Sequence, residues 1–142
     1  MNTTHELTIS RTIPAAMETA FEAWLDPRAL AQFIKPMAGM VDCDVEADAT
    51  EGGRFLIMMK FGDKEMPHSG QYQTIQRFEK LVFTWNSEHT GSDSVVTLRF
   101  RELGPQETEL TLHHEGLPSE ESRDNHNGGW KTILEQLAGF VA

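Results

Sequence analysis

Cysteine is nearly absent from this sequence: Cys43 is the only one among 142 residues. An internal disulfide needs two cysteines, so disulfide cross-links and the paired-cysteine motifs of zinc domains are excluded. A chain of this length buries enough apolar surface to fold without such cross-links. We therefore expect a single domain spanning residues 1–142.

Basic residues and long apolar runs are also scarce. Lys and Arg number 12 against 22 Asp and Glu, which gives a formal net charge of −10. Nucleic acids and anionic membranes bind through clustered basic side chains, so neither is expected as a partner. No apolar run approaches the roughly 18 residues of a membrane span. The N-terminal sequence MNTTHELTIS lacks the basic and apolar regions of a signal peptide, so a cytoplasmic location is the default expectation.

The first part of the chain predicts a strand followed by two short helices. Apolar and polar residues alternate over 6–12, which is typical of a strand with one buried face. Pro14 suits the first turn of a helix, where no N–H is required. Apolar residues then recur at helical spacing, at Met17, Ala20, Phe21 and Trp24. Asp26-Pro27 ends this helix and begins a second one, expected over 27–33.

From residue 41 to 115 the apolar period changes to two, and short turn signals separate the segments. The expected strands are 41–47, 54–61, 68–76, 81–87, 94–103 and 108–115. Such short connections predict hairpins and an antiparallel sheet. Residues 54–61 are apolar on both faces. We therefore expect this strand to contact the second subunit of a homodimer or to be covered by a loop.

The sequence HHEGLPSEESRDNHNGGW, residues 113–130, leads from the last strand into a terminal helix. Ser119 is a good N-cap, and the two carboxylates after it favour the first turn. His126 is nevertheless expected at the start of the helix. Gly129 is expected to let the helix backbone approach the sheet closely, and the pair Gly128-Gly129 suggests a packing or hinge role. Apolar residues follow at helical spacing, at Trp130, Ile133, Leu134, Leu137 and Val141. This stripe is expected to pack against the sheet.

Several short motifs, in order along nearly the whole chain, resemble those of one known family. They are Arg11, Ile13-Pro14, the FEAWLDP of 21–27, the EGGRF of 51–55, the GQY of 70–72, the LVFTW of 81–85, the TELTL of 108–112, the HEGL of 114–117, and His126 with Gly129-Trp130. The chain is similar to bacterial members of the family named after the activator of the Hsp90 ATPase. That family belongs to the START-like (SRPBCC) helix-grip superfamily, which also contains a birch-pollen allergen and polyketide cyclases.

The resemblance implies an α+β helix-grip fold. A curved antiparallel sheet of about seven strands would wrap around a long C-terminal helix, with two short helices after the first strand. Phe33 departs from the family pattern, in which Trp is usual at this position. An apolar cavity is implied between the sheet and the helix.

Histidines are the candidates for chemistry. His113 and His114 are adjacent in a strand and must point to opposite faces, so they cannot bind one ion together. His114 shares the parity of the buried leucines, and His126 precedes Trp130 by four residues on the same helix face. We expect both to form local hydrogen bonds, with ligand contact as the alternative. The motifs HExxH, CxxC, GxSxG and the phosphate loop are absent from the sequence, so no metal, cofactor or catalytic residue is assigned.

A cavity between the sheet and the terminal helix is the strongest functional prediction. Its expected apolar lining is Trp24, Phe33, Phe55, Ile57, Met59, Phe83, Trp85, Phe100, Leu112, Trp130 and Leu134. Its expected polar contacts are Tyr72, His114 and His126. The alternative is a fully packed core with a small void.

Three functions are compatible with these patterns. The favoured one is non-catalytic binding of an apolar or aromatic small molecule, such as a lipid, entering near the start of the terminal helix and the two short helices. The second is a cyclase- or aromatase-like enzyme, in which Tyr or His in the same cavity transfers protons. The third, a chaperone-associated interaction domain, follows from the family name alone.

Overall fold

The computed structural model describes residues 5–34, 42–61, 63–87, 90 and 94–141. These residues form seven strands and three helices. In chain order they are β1 (His5–Ile13), α1 (Met17–Ala23), α2 (Pro27–Phe33), β2 (Asp42–Ala47), β3 (Arg54–Phe61), β4 (Lys64–Gln76), β5 (Lys80–Thr84), β6 (Val95–Gly104), β7 (Glu107–Leu117) and α3 (Glu120–Val141).

The strands form one antiparallel sheet in the order β1-β7-β6-β5-β4-β3-β2. Both edge strands contact helices, since α3 packs against β1 and α2 against β2. The two helices also contact each other. The sheet therefore curves around the long C-terminal helix, and the predicted α+β helix-grip fold is confirmed. None of the described helices has the length and apolar character needed to cross a membrane.

The core lies between the concave face of the sheet and α3. Strands β5, β6 and β7 show the predicted alternation, with Leu81, Leu98 and Leu112 fully buried. From α3, Trp130 and Leu134 bury their side chains against this face. At about 25 cal/mol per Å² of apolar surface removed from water, this layer is the main source of stability.

The start of α3 differs from its predicted position. The helix begins at Glu120 rather than at His126. The predicted Ser119 cap explains the earlier start, because its Oγ accepts a hydrogen bond from the backbone N–H of Ser122 at 3.0 Å. Gly128 therefore lies inside the helix, on its exposed side, and a Cβ there would meet nothing within 4 Å. A packing role for the Gly128-Gly129 pair therefore does not extend to Gly128, and the alternative hinge role stays a prediction.

Two strand boundaries also move by more than two residues. The β3–β4 hairpin remains paired as far as Phe61 and Lys64, so β4 begins at 64 rather than 68. Strand β5 ends at Thr84 rather than 87. Backbone pairing nevertheless continues beyond it, since the N–H of Trp85 donates to the carbonyl of Ser94 at 2.9 Å and Asn86 forms an isolated bridge with Ser69. Residue 41, the predicted start of β2, lies outside the described residues.

The outer face of β3 is as apolar as the sequence predicts. Leu56 is 38% exposed on this face, and Met58 is half-buried. Both point away from the core residues Ile57 and Met59 of the same strand. The homodimer that this face suggested stays a prediction.

Candidate functional site

A cavity of about 590 Å³ lies between the inner face of the sheet and the first four turns of α3. This volume falls within the range of small-molecule sites. The cavity is lined by Met59, Met66, His68, Trp85, Pro118, Ser119, Glu121, Ser122, Asn125, His126, Gly129, Trp130 and Ile133. The exposed members, including Glu121 and Asn125, mark its mouth at the N-terminal end of the helix.

Strand pairing and helical spacing bring these residues together. On the sheet, Met59 pairs directly with Met66 across β3 and β4, and His68 shares the same face two residues later. On α3 the lining residues form two neighbouring rows at intervals of four, 122/126/130 and 121/125/129/133. The apolar walls therefore come from the strands and from the third and fourth turns of the helix, and the polar rim comes from its first two turns.

Trp130 is fixed in the wall by a buried histidine. Its indole Nε1–H donates to Nδ1 of His114 at 2.9 Å. Since an indole nitrogen can only donate, Nδ1 must accept, and the ring proton is on Nε2, which donates to the hydroxyl of Ser94. His114 and Ser94 are both fully buried. His114 thus lies behind Trp130 and orients its indole.

Burial decides the charge of His114. Loss of solvation, followed by the neighbouring His126 and His113, lowers the pKa of His114 to about 3. The ring is therefore neutral at physiological pH. Protonation at Nδ1 would also place an N–H against the Trp130 N–H, so both bonds require the neutral tautomer.

Two further histidines in the wall are oriented by backbone carbonyls. Nδ1 of His126 donates to the carbonyl of Ser122 at 2.8 Å, and Nδ1 of His68 donates to the carbonyl of Met66 at 3.1 Å. A carbonyl can only accept, so Nδ1 of each ring carries a proton. The His68 ring packs on Trp85 with centroids 4.9 Å apart.

The three tryptophans meet behind and beside the cavity. Trp130 contacts Trp85 with ring centroids 5.0 Å apart and Trp24 with centroids 6.4 Å apart. The indole nitrogens of Trp24 and Trp85 are buried and, among the described residues, have no hydrogen-bond partner. Packing alone therefore holds these two rings, whereas Trp130 is held by a hydrogen bond as well.

The predicted lining residues fall into three groups. Met59, Trp85, His126 and Trp130 line the cavity. Trp24, Phe55, Ile57, Tyr72 and Phe83 surround, together with Trp85, a separate void of about 10 Å³. Phe33, Phe100, Leu112, His114 and Leu134 are buried in the core. The void of about 10 Å³ has room for about one water molecule, so the structure places no ligand-sized space around the five predicted residues that surround it.

Tyr72 belongs to the packed region rather than to the cavity. Burial, followed by the nearby carboxylate of Asp48, raises the pKa of Tyr72 to about 12. The phenol is therefore protonated at any physiological pH. The binding role assigned to the predicted residues stays a prediction.

Sequence reasoning missed Met66, His68 and most of the polar rim. Met66 and His68 fall at or before the predicted start of β4, and alternation with Tyr72 was the signal for their inward parity. The rim residues Glu121 and Asn125 precede His126, where the helix was expected to start, and were not assigned to the cavity. A helix starting at 120 would have placed them four residues apart on one face.

His113 occupies the opposite face of the sheet, as strand parity predicts. Its Nδ1 is 2.9 Å from the hydroxyl of Thr8, and its Nε2 is 3.5 Å from a carboxylate oxygen of Glu6. Glu115 completes this exposed group, whose candidate ligand atoms lie within 4.8 Å of one another. These are ordinary surface ion-pair distances on a solvated sheet face.

A second groove of about 570 Å³ lies between α1, α2 and the end of α3. Its lining includes the exposed residues Glu22, Asp26 and Arg28, and Phe140, which is 48% exposed. The groove has a more solvated lining than the cavity at the start of α3. The cavity is the better candidate because its apolar walls are buried.

Known proteins share this fold over nearly the whole chain. The family model described as Activator of Hsp90 ATPase homolog 1-like protein matches residues 14–142. The protein CV1439 from Chromobacterium violaceum superimposes with a TM-score of 0.86 at 28% identity, covering 96% of each chain. No curated protein matches the sequence.

Two more distant structures show the same architecture. CalU16 from Micromonospora echinospora has a TM-score of 0.73 at 24% identity, covering 96% of this chain and 76% of its own. An AHSA1-like protein from Aeromonas hydrophila has a TM-score of 0.79 at 19% identity, covering 96% of this chain and 92% of its own. At these identities the likeness shows the fold alone.

Proposed function

The chain belongs to the family of Activator of Hsp90 ATPase homolog 1-like proteins, and from this premise we propose that it binds an apolar or aromatic small molecule in the cavity at the start of α3. One observation carries the proposal. The core packs closely around Tyr72, where a void of about 10 Å³ is left, yet about 590 Å³ lies open beside Trp130.

The chemistry of the cavity supports a ligand with a large apolar surface. Met59, Met66, Trp85, Trp130 and Ile133 supply the apolar wall. Methionine side chains adapt to varied ligand shapes, and the indole rings give flat surfaces for stacking. Covering such walls with a ligand removes apolar surface from water and is therefore favourable.

The positions of Tyr72 and His114 favour binding over catalysis. Both were candidates for proton transfer in a cyclase-like reaction, but Tyr72 adjoins the 10 Å³ void and His114 lies behind Trp130. A general acid or base must reach the reacting atom and have a pKa near the working pH. The pKa of about 12 for Tyr72 and of about 3 for His114 places both far from neutrality.

Two glycine variants test the proposal. Gly129 lines the cavity, whereas a Cβ at the preceding Gly128 would meet nothing within 4 Å. We expect Gly129→Leu to fill part of the cavity and to weaken binding of N-phenyl-1-naphthylamine, an uncharged fluorescent probe, by roughly tenfold or more. Gly128→Leu makes the same change on the same helix and should leave the affinity unchanged.

The proposal fails if the wild-type protein does not bind the probe, or if both glycine variants bind it as the wild type does. Circular dichroism would confirm that each variant is folded. If Gly129→Leu does not fold, Ile133→Phe provides a second way to narrow the cavity, since Ile133 lies four residues further along the same row.

A further inference from the structure

We propose that Glu6, His113 and Glu115 form a site for a divalent transition-metal ion of the Zn²⁺ class on the outer face of the sheet. The site lies on the opposite face from the cavity, so it does not depend on the proposed ligand. An ion held there joins the edge strand β1 to β7, its neighbour in the sheet.

The three side chains supply the ligand atoms that such ions prefer. One carboxylate oxygen of each glutamate and one ring nitrogen of His113 lie within 4.8 Å of one another. Imidazole together with carboxylate suits Zn²⁺ and the neighbouring transition metals, whereas Ca²⁺ and Mg²⁺ prefer oxygen ligands alone. Three protein ligands leave the remaining coordination positions to water.

The distances within the group are close to those around a bound ion. Nε2 of His113 lies 3.5 Å from a carboxylate oxygen of Glu6 and 3.9 Å from one of Glu115. Ligand atoms at about 2.0–2.1 Å from a tetrahedral ion are separated from one another by about 3.4 Å. The two glutamate side chains are 62% and 51% exposed, so a small rotation of each closes the remaining difference.

Thr8 holds the imidazole in the orientation that the site requires. It pairs with His113 across β1 and β7, and its hydroxyl lies 2.9 Å from Nδ1 of that ring. The other nitrogen, Nε2, is the one near both carboxylates. Metal-binding histidines are commonly oriented through their second nitrogen in this way. A hydroxyl can accept a hydrogen bond as well as donate one, so this contact allows Nε2 to bind an ion.

A bulge in β7 lies at the same place. The pairing register of β1 on β7 shifts at Glu6, where β7 has one residue more than β1. Gly116, with φ of 79°, has the conformation of a bulge glycine. Bulges redirect neighbouring side chains and are common beside functional sites. Here the neighbouring side chain is Glu115, whose carboxylate approaches His113.

The charge of the group favours a cation. Further along the same face of β7, the carboxylate of Glu109 pairs with Arg101 at 3.2 Å. Glu6 and Glu115 have only His113 as an ionic partner among the residues that the structure describes. One imidazole cannot neutralise two carboxylates, whether or not the ring is protonated, so the group remains negative. A divalent ion removes this excess charge.

Isothermal titration calorimetry with Zn²⁺ at pH 7.5 tests the site on the full chain. We expect the wild type to bind one ion at this site, His113→Ala to lose that binding, and Glu6→Gln and Glu115→Gln each to weaken it roughly tenfold or more. Glu109→Gln makes the same change on the same face of β7 and should leave the affinity unchanged. Circular dichroism would confirm that each variant is folded.

Two further measurements locate the ion. Thr8→Val keeps the shape of the side chain but removes the hydroxyl, and should weaken Zn²⁺ binding roughly tenfold. Co²⁺ is paramagnetic, so at low Co²⁺ concentrations the NMR signals of Thr8 and Thr97, which flank His113 on the two neighbouring strands, should broaden first. Broadening that begins at other histidines instead would contradict the site.

The proposal is overturned if the wild type does not bind Zn²⁺, or if His113→Ala binds it as the wild type does. His113 would then be the partner of a surface ion pair only. Binding of N-phenyl-1-naphthylamine in the cavity should be the same with and without Zn²⁺, because the two sites lie on opposite faces of the sheet. Failure of either proposal therefore leaves the other standing.

Discussion

The buried ring of His114 makes a specific prediction about stability and pH. In the folded protein Nδ1 accepts from Trp130 and Nε2–H donates to Ser94, so the ring is held neutral. An unfolded chain exposes the same ring to water, where its pKa is about 6.5. In the folded state burial lowers the pKa to about 3. The two states therefore bind different numbers of protons at mildly acidic pH.

The sign and size of the pH dependence of stability follow from this difference in bound protons. Between pH 6.5 and about 3 the unfolded state holds a proton on His114 that the folded state does not, so the free energy of unfolding rises with pH. The contribution is complete above pH 6.5 and is lost as the pH falls towards 3. The slope from this one residue approaches about 1.4 kcal/mol per pH unit, or about 2 kcal/mol between pH 6.5 and 5. That loss is large beside the 5–15 kcal/mol typical of a domain.

The assay is urea unfolding at pH values from 7.5 to 5, on the wild type and on His114→Gln. Glutamine has an amide oxygen that can accept from Trp130 and does not titrate. The other histidines titrate in both proteins, so the difference between the two slopes isolates His114. We expect the variant to be less stable at pH 7.5 but to lose stability less steeply as the pH falls.

Parallel pH dependences for the two proteins would refute the reasoning. So would an NMR titration in which the His114 ring of the folded protein gains a proton near pH 6.5. Either result would mean that the cavity wall tolerates a charged ring behind Trp130. The tautomer assigned from the two hydrogen bonds would then be wrong.

Three further predictions concern packing and hydrogen bonding, each measured by urea unfolding at pH 7.5. Gly70→Ala should destabilise the protein by roughly 2 kcal/mol or more, because a Cβ there would overlap a backbone carbonyl at the end of β5. Gly128→Ala has open space around its Cβ and should instead stabilise the protein by about 0.5–1 kcal/mol. Equal effects of the two variants would contradict the close packing around Gly70. Trp130→Phe should cost roughly 1–3 kcal/mol beyond its lost volume and raise the pKa of His114, since Nδ1 loses its donor; an unchanged NMR titration of that ring would refute this. Ser119→Ala should cost about 1 kcal/mol through loss of the α3 cap, and no loss would mean that the helix starts elsewhere.

Periodicity was sufficient to predict the sheet but not its exact ends. Alternation, together with the turn signals that bound the doubly apolar strand β3, identified the strands from β1 to β7. The ends of β4 and β5 depend on how far the ladder of backbone bonds continues, which side-chain pattern does not encode. The start of α3 was indicated twice in the sequence, by Ser119 and by His126, and the hydrogen bond of Ser119 decides between them.

The alternation of side chains along each strand identified which residues face inward. It did not show whether other side chains fill the space in front of those residues. Tyr72 and Met59 both face inward from the same region of the sheet, and both were predicted to line one cavity. In the structure Tyr72 adjoins a void of about 10 Å³ and Met59 adjoins one of about 590 Å³. The difference lies in what packs opposite each residue, which depends on the placement of the helices in three dimensions.

The location of the cavity nevertheless has a simple cause in the sequence of α3. The first ten residues of the helix, EESRDNHNGG from 120 to 129, contain no large apolar side chain. Ten residues correspond to about 15 Å of helix. Opposite them the sheet still presents Met59, Met66 and Trp85, so no large apolar side chain of the helix fills the space in front of these residues. The apolar stripe begins at Trp130, and there the core closes. The glycines and polar residues before Trp130 are thus the reason that the helix leaves a cavity, and Trp130, tied to His114, forms its inner limit.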